Sequence, residues 1–246
     1  GENPVISDVF GNARYMPKDK DRSVLTLTDW PEIITGIDTE IALLRASVQI
    51  EPDTLESSIF SQNTNLRFKN PFSSTIMGQV RVLLDGRDQQ NWQVEPLMFN
   101  YVLKPGQEFE TDLRLKFPSS ELSGDKVIDL GMRVDADHSY YINVSVPFIV
   151  EMKDVDVRVF ARRVNNTDMM IQMIMTNNSS EQYSLLTFIY YPDMDYDEKS
   201  ARLEPGTTIT RTFVLKNAVR WLGRYMRVGL RDPKGDKSVN YQIKVQ

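Results

Sequence analysis

Apolar and polar residues alternate along most of this chain, and a period of two places alternate side chains on opposite faces of a β-strand. The C-terminal run Val239-Asn-Tyr241-Gln-Ile243-Lys-Val245 alternates without a fault, as does Ile142, Val144, Val146 and Phe148. Leu113, Leu115 and Phe117 make a third such face, separated by Arg114 and Lys116. The same pattern predicts strands over 66–68, 80–84, 128–134, 155–159, 171–175, 185–191, 209–215 and 226–230. Turn chemistry separates them: Asn70-Pro71, Pro105-Gly106, 119–124, Asn177-Asn-Ser-Ser180, Pro205-Gly206 and 232–235. Short strands at this spacing predict β-sandwiches. No segment carries a long 3.6-residue period; Asp29-Trp-Pro-Glu is expected to cap one helical turn, with Pro31 at its first position.

The pattern also repeats. Leu103-Lys-Pro-Gly106, followed by Phe109, Thr111, Leu113 and Leu115, matches Leu203-Glu-Pro-Gly206, followed by Ile209, Arg211, Phe213 and Leu215, at an offset of 100 residues. Upstream, Leu66-Arg-Phe-Lys-Asn-Pro-Phe-Ser-Ser pairs with Ile171-Gln-Met-Ile-Met-Thr-Asn-Asn-Ser-Ser, in each case a strand running into an Asn/Ser turn. This period is far too long for a solenoid and matches one immunoglobulin-like sandwich. The expectation is an all-β protein of two tandem immunoglobulin-like antiparallel sandwiches, residues 41–152 and 153–246. The junction Glu151-Met-Lys-Asp154 holds neither Gly nor Pro, so the two units should meet closely. Residues 1–40 fall outside the repeat and read as an N-terminal extension or the remnant of a preceding domain. Within them, Lys18-Asp-Lys-Asp-Arg22 reads as a solvated loop. Gly1 in place of Met, with no apolar leader, suggests excision from a longer precursor.

Composition narrows the chemistry. Among 246 residues there is no cysteine and one histidine, with 41% apolar and 26% charged residues. Disulfides, thiolate metal sites, cysteine nucleophiles and two-histidine metal sites within one chain are thereby excluded. The formal charge of −5 argues against a general nucleic-acid binder, which needs a basic surface. No apolar run is long enough to cross a bilayer as a helix.

The Pro-Gly turn at 205–206, the Asn/Ser turn before it and the strand Val239-Asn-Tyr-Gln-Ile243 after it resemble bacterial Ig-like modules of exported proteins. Those modules include CARDB-like domains and the sandwiches found beside glycoside hydrolases. The resemblance covers both repeats and implies a non-catalytic spacer, adhesion or accessory module in a secreted, periplasmic or cell-surface protein. It brings no site residues with it.

Four features could carry chemistry. His138, in Asp135-Ala-Asp-His-Ser139, has serine and aspartate neighbours, but a triad must converge in space and sequence neighbours rarely do so; a surface turn is expected. Asp193, Asp195 and Asp197 could offer oxygens to calcium, although Glu198 stands where an EF-hand loop has glycine; calcium is the one cofactor this reading admits. Residues 153–246 hold 15 Lys/Arg against 11 Asp/Glu, so they carry +4, whereas residues 1–152 hold 14 against 23 and carry −9. Much of the basic excess gathers around Arg220, Trp221, Arg224, Tyr225 and Arg227, a group suited to an anionic or neutral polysaccharide. The charge contrast equally suits docking of one unit on the other. Trp92, Trp221 and the pairs Tyr140-Tyr141 and Tyr190-Tyr191 supply flat faces on which sugars stack. The function expected is therefore a non-enzymatic accessory module whose partner is an envelope protein or polysaccharide. A carbohydrate-binding module is the first alternative. A hydrolase with paired carboxylates at the domain interface is the second.

Overall fold

The computed structural model describes residues 4–245 apart from 20, 21, 27, 28, 85, 87, 88, 90 and 194. The chain is nearly all β, arranged in several antiparallel sheets, and each strand expected from alternation overlaps an observed one, with ends that differ by a residue at Leu84, Phe117, Tyr191 and Val245. At the N-terminus, β1 (Val5–Asp8) pairs with β2 (Ala13–Tyr15) on one side and β5 (Glu32–Thr35) on the other, burying Ile6. The charged run expected as a loop is in part a short ribbon, in which β3 (Lys18–Asp19) pairs with β4 (Arg22–Ser23); Lys20 and Asp21 lie outside the described residues, as does Gly1. The helical turn expected at Asp29–Glu32 does not form: Asp29 and Trp30 make a bend, and Glu32 opens β5. The α-helix of the described residues comes later, as α1 (Thr39–Ser47), with the Asp38 carboxylate accepting the Ile41 N–H at 3.0 Å. Ile41 and Leu44 anchor it to the first core, and the Lys69 N–H donates to Ser47 Oγ at 3.0 Å.

Residues 44–150 share one hydrophobic cluster built from two facing sheets. The first has the order β10-β12-β8-β6: β6 (Gln49–Glu51), β8 (Gln62–Lys69), β10 (Gln93–Glu95) and β12 (Glu108–Lys116). The second runs β11-β9-β13-β14-β7: β7 (Thr54–Glu56), β9 (Ile76–Leu83), β11 (Met98–Leu103), β13 (Gly124–Asp135) and β14 (Ser139–Glu151). Strands β7 and β14 pair in parallel.

Residues 152–245 form a separate cluster, again from two sheets. One is ordered β15-β16-β19: β15 (Val155–Arg163), β16 (Met169–Asn177) and β19 (Thr208–Leu215). The other is β18-β17-β20-β21: β17 (Tyr183–Tyr190), β18 (Tyr196–Leu203), β20 (Tyr225–Arg231) and β21 (Ser238–Lys244). Strand order thus reproduces the sequence repeat. The series β11-β9-β13-β14 corresponds to β18-β17-β20-β21, and β12-β8-β6 corresponds to β19-β16-β15.

One asparagine turn explains why the Asn/Ser and Pro-Gly signatures recur together. Asn70 Nδ2 donates to the Leu103 and Ser74 carbonyls, and its Oδ1 accepts the Phe72 N–H. Asn177 Nδ2 donates to the Leu203 and Glu181 carbonyls, and its Oδ1 accepts the Ser179 N–H. In each copy the Pro-Gly turn returns the bond, Gly106 N–H to the Asn70 carbonyl and Gly206 N–H to the Asn177 carbonyl, both at 3.0 Å. Both asparagines are fully buried, so each polar atom needs such a partner. The two glycines have φ of +72° and +68°, a conformation that favours glycine.

The two clusters meet along a polar seam. The Ser238 N–H donates to the Ser57 carbonyl, and the Ile59 N–H to the Asp236 carbonyl at 3.0 Å. Asn240, buried at the seam, donates from Nδ2 to the Ser119 and Glu121 carbonyls at 3.1 and 3.0 Å, while its own carbonyl accepts the Ser123 N–H at 2.8 Å. One ion pair joins in, Lys237 Nζ to Glu56 Oε1 at 2.7 Å. The contrast between −9 and +4 is therefore not what the seam is made from among the described residues.

Candidate functional site

The aromatic and basic residues singled out in the sequence separate into two groups, one at a corner of the second unit and one on the outer face of its four-stranded sheet. A 3₁₀ turn, Ala218–Trp221, carries the corner group. Trp221 is only 5% exposed and belongs to the second core, where it stacks on Tyr191 with centroids 5.1 Å apart. Its burial corrects the expectation of an open sugar platform at that position. Trp92 meets the same correction: it is buried edge-on to Phe117 and Phe148, with Nε1 donating to Glu121 at 2.7 Å.

The acidic hairpin reaches the same corner. Arg220 lies 4.0 Å from the Trp221 ring centre, and Arg224 donates to the Pro192 carbonyl at 2.6 Å, directly before Asp193. Burial first, then the charges of Asp197, Asp195 and Asp193, push the Tyr191 phenol above its ordinary pKa, while Arg220 pulls it back. The acidic and basic candidates are thus neighbours around one partly buried tyrosine. The three aspartates point along an exposed hairpin, where Asp195 and Asp197 accept the N–H groups of Tyr196 and Glu198. No group of three metal-capable side chains converges among the described residues.

Tyr225 and Arg227 belong to the outer face. Cross-strand register aligns Tyr196, Tyr190, Arg227 and Gln242 in one row across β18, β17, β20 and β21. Arg227 lies 4.5 Å from the Tyr190 ring centre, and Tyr190 stacks against Tyr196 at 5.7 Å. Tyr196 and Tyr225 remain 57% and 55% exposed, and Lys244 sits 6.0 Å from the Tyr225 ring. Alternation produces this strip: Met226 and Val228 point into the core, so Tyr225 and Arg227 must point out. Sequence reading paired Tyr190 with Tyr191. Those two face opposite ways, and the true neighbour of Tyr190 is Tyr196, legible only once the hairpin register is known.

The remaining candidates resolve into local pairs. His138 Nδ1 meets Asp137 Oδ2 at 2.7 Å, whereas Ser139 Oγ donates to Asp135 at 2.6 Å, so serine and histidine serve different carboxylates on an exposed hairpin. Glu51 and Asp53 line an open groove of about 750 Å³, with Glu51 paired to Arg67 and Asp53 accepting from Thr54 Oγ1. At the seam, Glu56 pairs with Lys237, and the buried Glu121 carboxylate is held by Lys126 and the Trp92 indole. Asp168, missed in the sequence, is held well below its usual carboxylate range. The Asn217 N–H contributes first, followed by Lys216 and Asn165, and the bonds tie the loop between β15 and β16 to the end of β19.

No known family model matches the chain, and no curated protein matches it. Among solved structures, red sea bream transglutaminase superposes with a TM-score of 0.33 at 10% identity, over 81% of this chain and 31% of that one. The Pseudomonas aeruginosa CupB2 chaperone gives 0.27 at 10%, over 78% and 96%. A protein of unknown function from Porphyromonas gingivalis W83 gives 0.29 at 12%, over 81% and 97%. The chain spans under a third of the transglutaminase. Scores this low establish neither a family nor an activity.

Proposed function

We propose that this chain is a non-catalytic accessory module of a larger exported or cell-envelope bacterial protein, built as two tandem Ig-like sandwiches over 41–152 and 153–246. The observation that carries the reading is the duplicated unit, with its buried asparagine turn in both copies, joined through a hydrogen-bonded seam at Asn240. Two units fixed in this way make a spacer of defined length and direction, which suits holding a neighbouring domain away from a surface. Small-angle X-ray scattering tests it: one rigid shape fits the wild-type curve, and Asn240→Ala broadens the distance distribution. A wild-type curve that needs an ensemble of inter-unit angles would sink the spacer role. Release of reducing ends from a panel of envelope polysaccharides would sink the non-catalytic one.

The strip of Tyr196, Tyr190, Arg227 and Tyr225 favours a second reading, carbohydrate binding. Stacked phenol rings offer apolar faces, and the arginine suits an acidic sugar. Affinity electrophoresis in uronate-rich and neutral polysaccharides should show retardation that Tyr196→Ala and Arg227→Ala abolish. Equal mobility of wild type and variants in every gel removes this reading and leaves the spacer role standing.

A further inference from the structure

A cleft opens at the other end of the seam strand. Two sheet edges face each other there: among the described residues, β15 has β16 as its one strand partner and β21 has β20. The Tyr241 hydroxyl bridges them by donating to the Val157 carbonyl at 3.3 Å. Beyond that bridge the edges part, leaving a cleft of about 450 Å³ lined by Ala161–Arg163 on β15 and Gln242–Lys244 on β21, with Met169 at its floor. Its size lies within the range of pockets that hold small molecules or short peptides.

Two further observations say what belongs in it. The first is the backbone. Along an antiparallel strand alternate residues turn their N–H and C=O to the same side. On β21, Ser238 and Asn240 turn theirs toward residues 57 and 123, so this edge is already paired by the first unit at those positions. By the same alternation Gln242 and Lys244 present their N–H and C=O on that edge, where no backbone partner meets them among the described residues. On β15 the Val157 carbonyl faces the gap, so Ala161 and Arg163 present theirs to it as well. The cleft is thus a continuation of an existing strand-edge interface, with main-chain donors and acceptors on both walls. The second observation is charge. Among the described residues, Arg162, Arg163 and Lys244 line the cleft and no acidic side chain does, and Arg162 and Lys244 have no carboxylate partner. Met169 and Ile243 supply the apolar floor.

We infer that this cleft receives a short extended segment of a partner protein, alternating acidic and apolar residues, which adds as a strand to β21. Main-chain pairing at Gln242 and Lys244 supplies affinity. The apolar side chains of the segment settle on Met169 and Ile243, and its carboxylates meet Arg162 and Lys244. This goes beyond the spacer role and does not depend on the tyrosine strip.

The test uses a blocked, fluorescein-labelled Glu-Val-Glu-Val-Glu peptide titrated with the full chain and read by fluorescence anisotropy. Three probes accompany it: a Lys-Val-Lys-Val-Lys peptide, the acidic peptide with both valine amides N-methylated, and a polyglutamate of equal charge. The acidic peptide should bind at least ten-fold more tightly than each of the three. The exposed-site double variant Arg162→Glu/Lys244→Glu, checked for an unchanged melting temperature, should lose at least ten-fold. Amide resonances of Gln242 and Lys244 should shift on titration. Equal affinity for the N-methylated peptide or for polyglutamate would show a mere charge effect and overturn the strand-addition assignment. A dimer in sedimentation that excludes the peptide would place a second copy of the chain in the cleft and overturn it too. Absence of binding at millimolar peptide would do the same. Affinity electrophoresis of Tyr196→Ala and Arg227→Ala reads residues that do not line the cleft, so failure here and failure of the carbohydrate reading remain distinguishable.

Discussion

Asn70 and Asn177 are single residues on which whole turns depend. Each side chain is buried and uses its amide and its carbonyl oxygen to hold main-chain groups of two different loops. Truncation leaves those groups unpaired in the interior, a loss of about 1–3 kcal/mol. Urea unfolding of Asn177→Ala should register a loss in that range, with Asn177→Asp also impaired because a carboxylate cannot donate to Leu203 and Glu181; wild-type stability for either variant would refute this role. Tyr241 makes a pH-dependent prediction. Its burial, with the charges of Glu151 and Asp156, raises the phenol to about 12. The unfolded phenol titrates near 10, so the folded state prefers the neutral form. Its contribution to stability is full below pH ~10 and is lost as pH rises toward ~12. Stability measured across that window should fall more steeply for wild type than for Tyr241→Phe; parallel curves would show that Tyr241 does not link to folding.

At the scale of elements, close strand approach decides which glycines matter. A Cβ on Gly229 of β20 would lie 1.9 Å from the Val239 carbonyl oxygen and 2.9 Å from Phe188 Cζ, whereas one on Gly131 of β13 would find its nearest neighbour at 3.7 Å. Gly229→Ala should therefore cost roughly 1–3 kcal/mol as the β17, β20 and β21 ladder shifts. Gly131→Ala should be neutral, or stabilise slightly by restricting the unfolded chain. Thermal melts of the two variants decide the point, and a neutral Gly229→Ala would mean the strands can part without cost. Strands were readable because alternation is a local signal: each apolar residue of Val239–Val245 faces inward whatever lies opposite. Helix α1 was not. Its nine residues give Ile41 and Leu44 as anchors, too few to establish a 3.6-residue period, and it is held by packing on the first core and by the Asp38 cap.

At the scale of the molecule, the seam at Asn240 couples two separate cores. Calorimetry of the wild type should show one transition, and Asn240→Ala should split it into two or broaden it markedly. Salt at 1 M should leave the wild-type transition whole, because the seam is mostly neutral hydrogen bonds and has one ion pair among the described residues. A salt-induced split would restore a leading role to the charge contrast between the two halves. By itself, the sequence determined the all-β class, the strand positions, the duplication and the turn chemistry, since alternation, Asn turns and Pro-Gly turns act within a few residues. It could not decide which aromatic residues face solvent. Trp221 reads as a platform in a basic run and is buried against Tyr191, a residue 30 positions earlier, while Tyr190 finds Tyr196 only through the hairpin register. Nor could it show that β21 is paired at its start and open at its end. That follows from where the first unit docks and where the two sheets part, and both are settled by contacts between residues more than 80 positions apart.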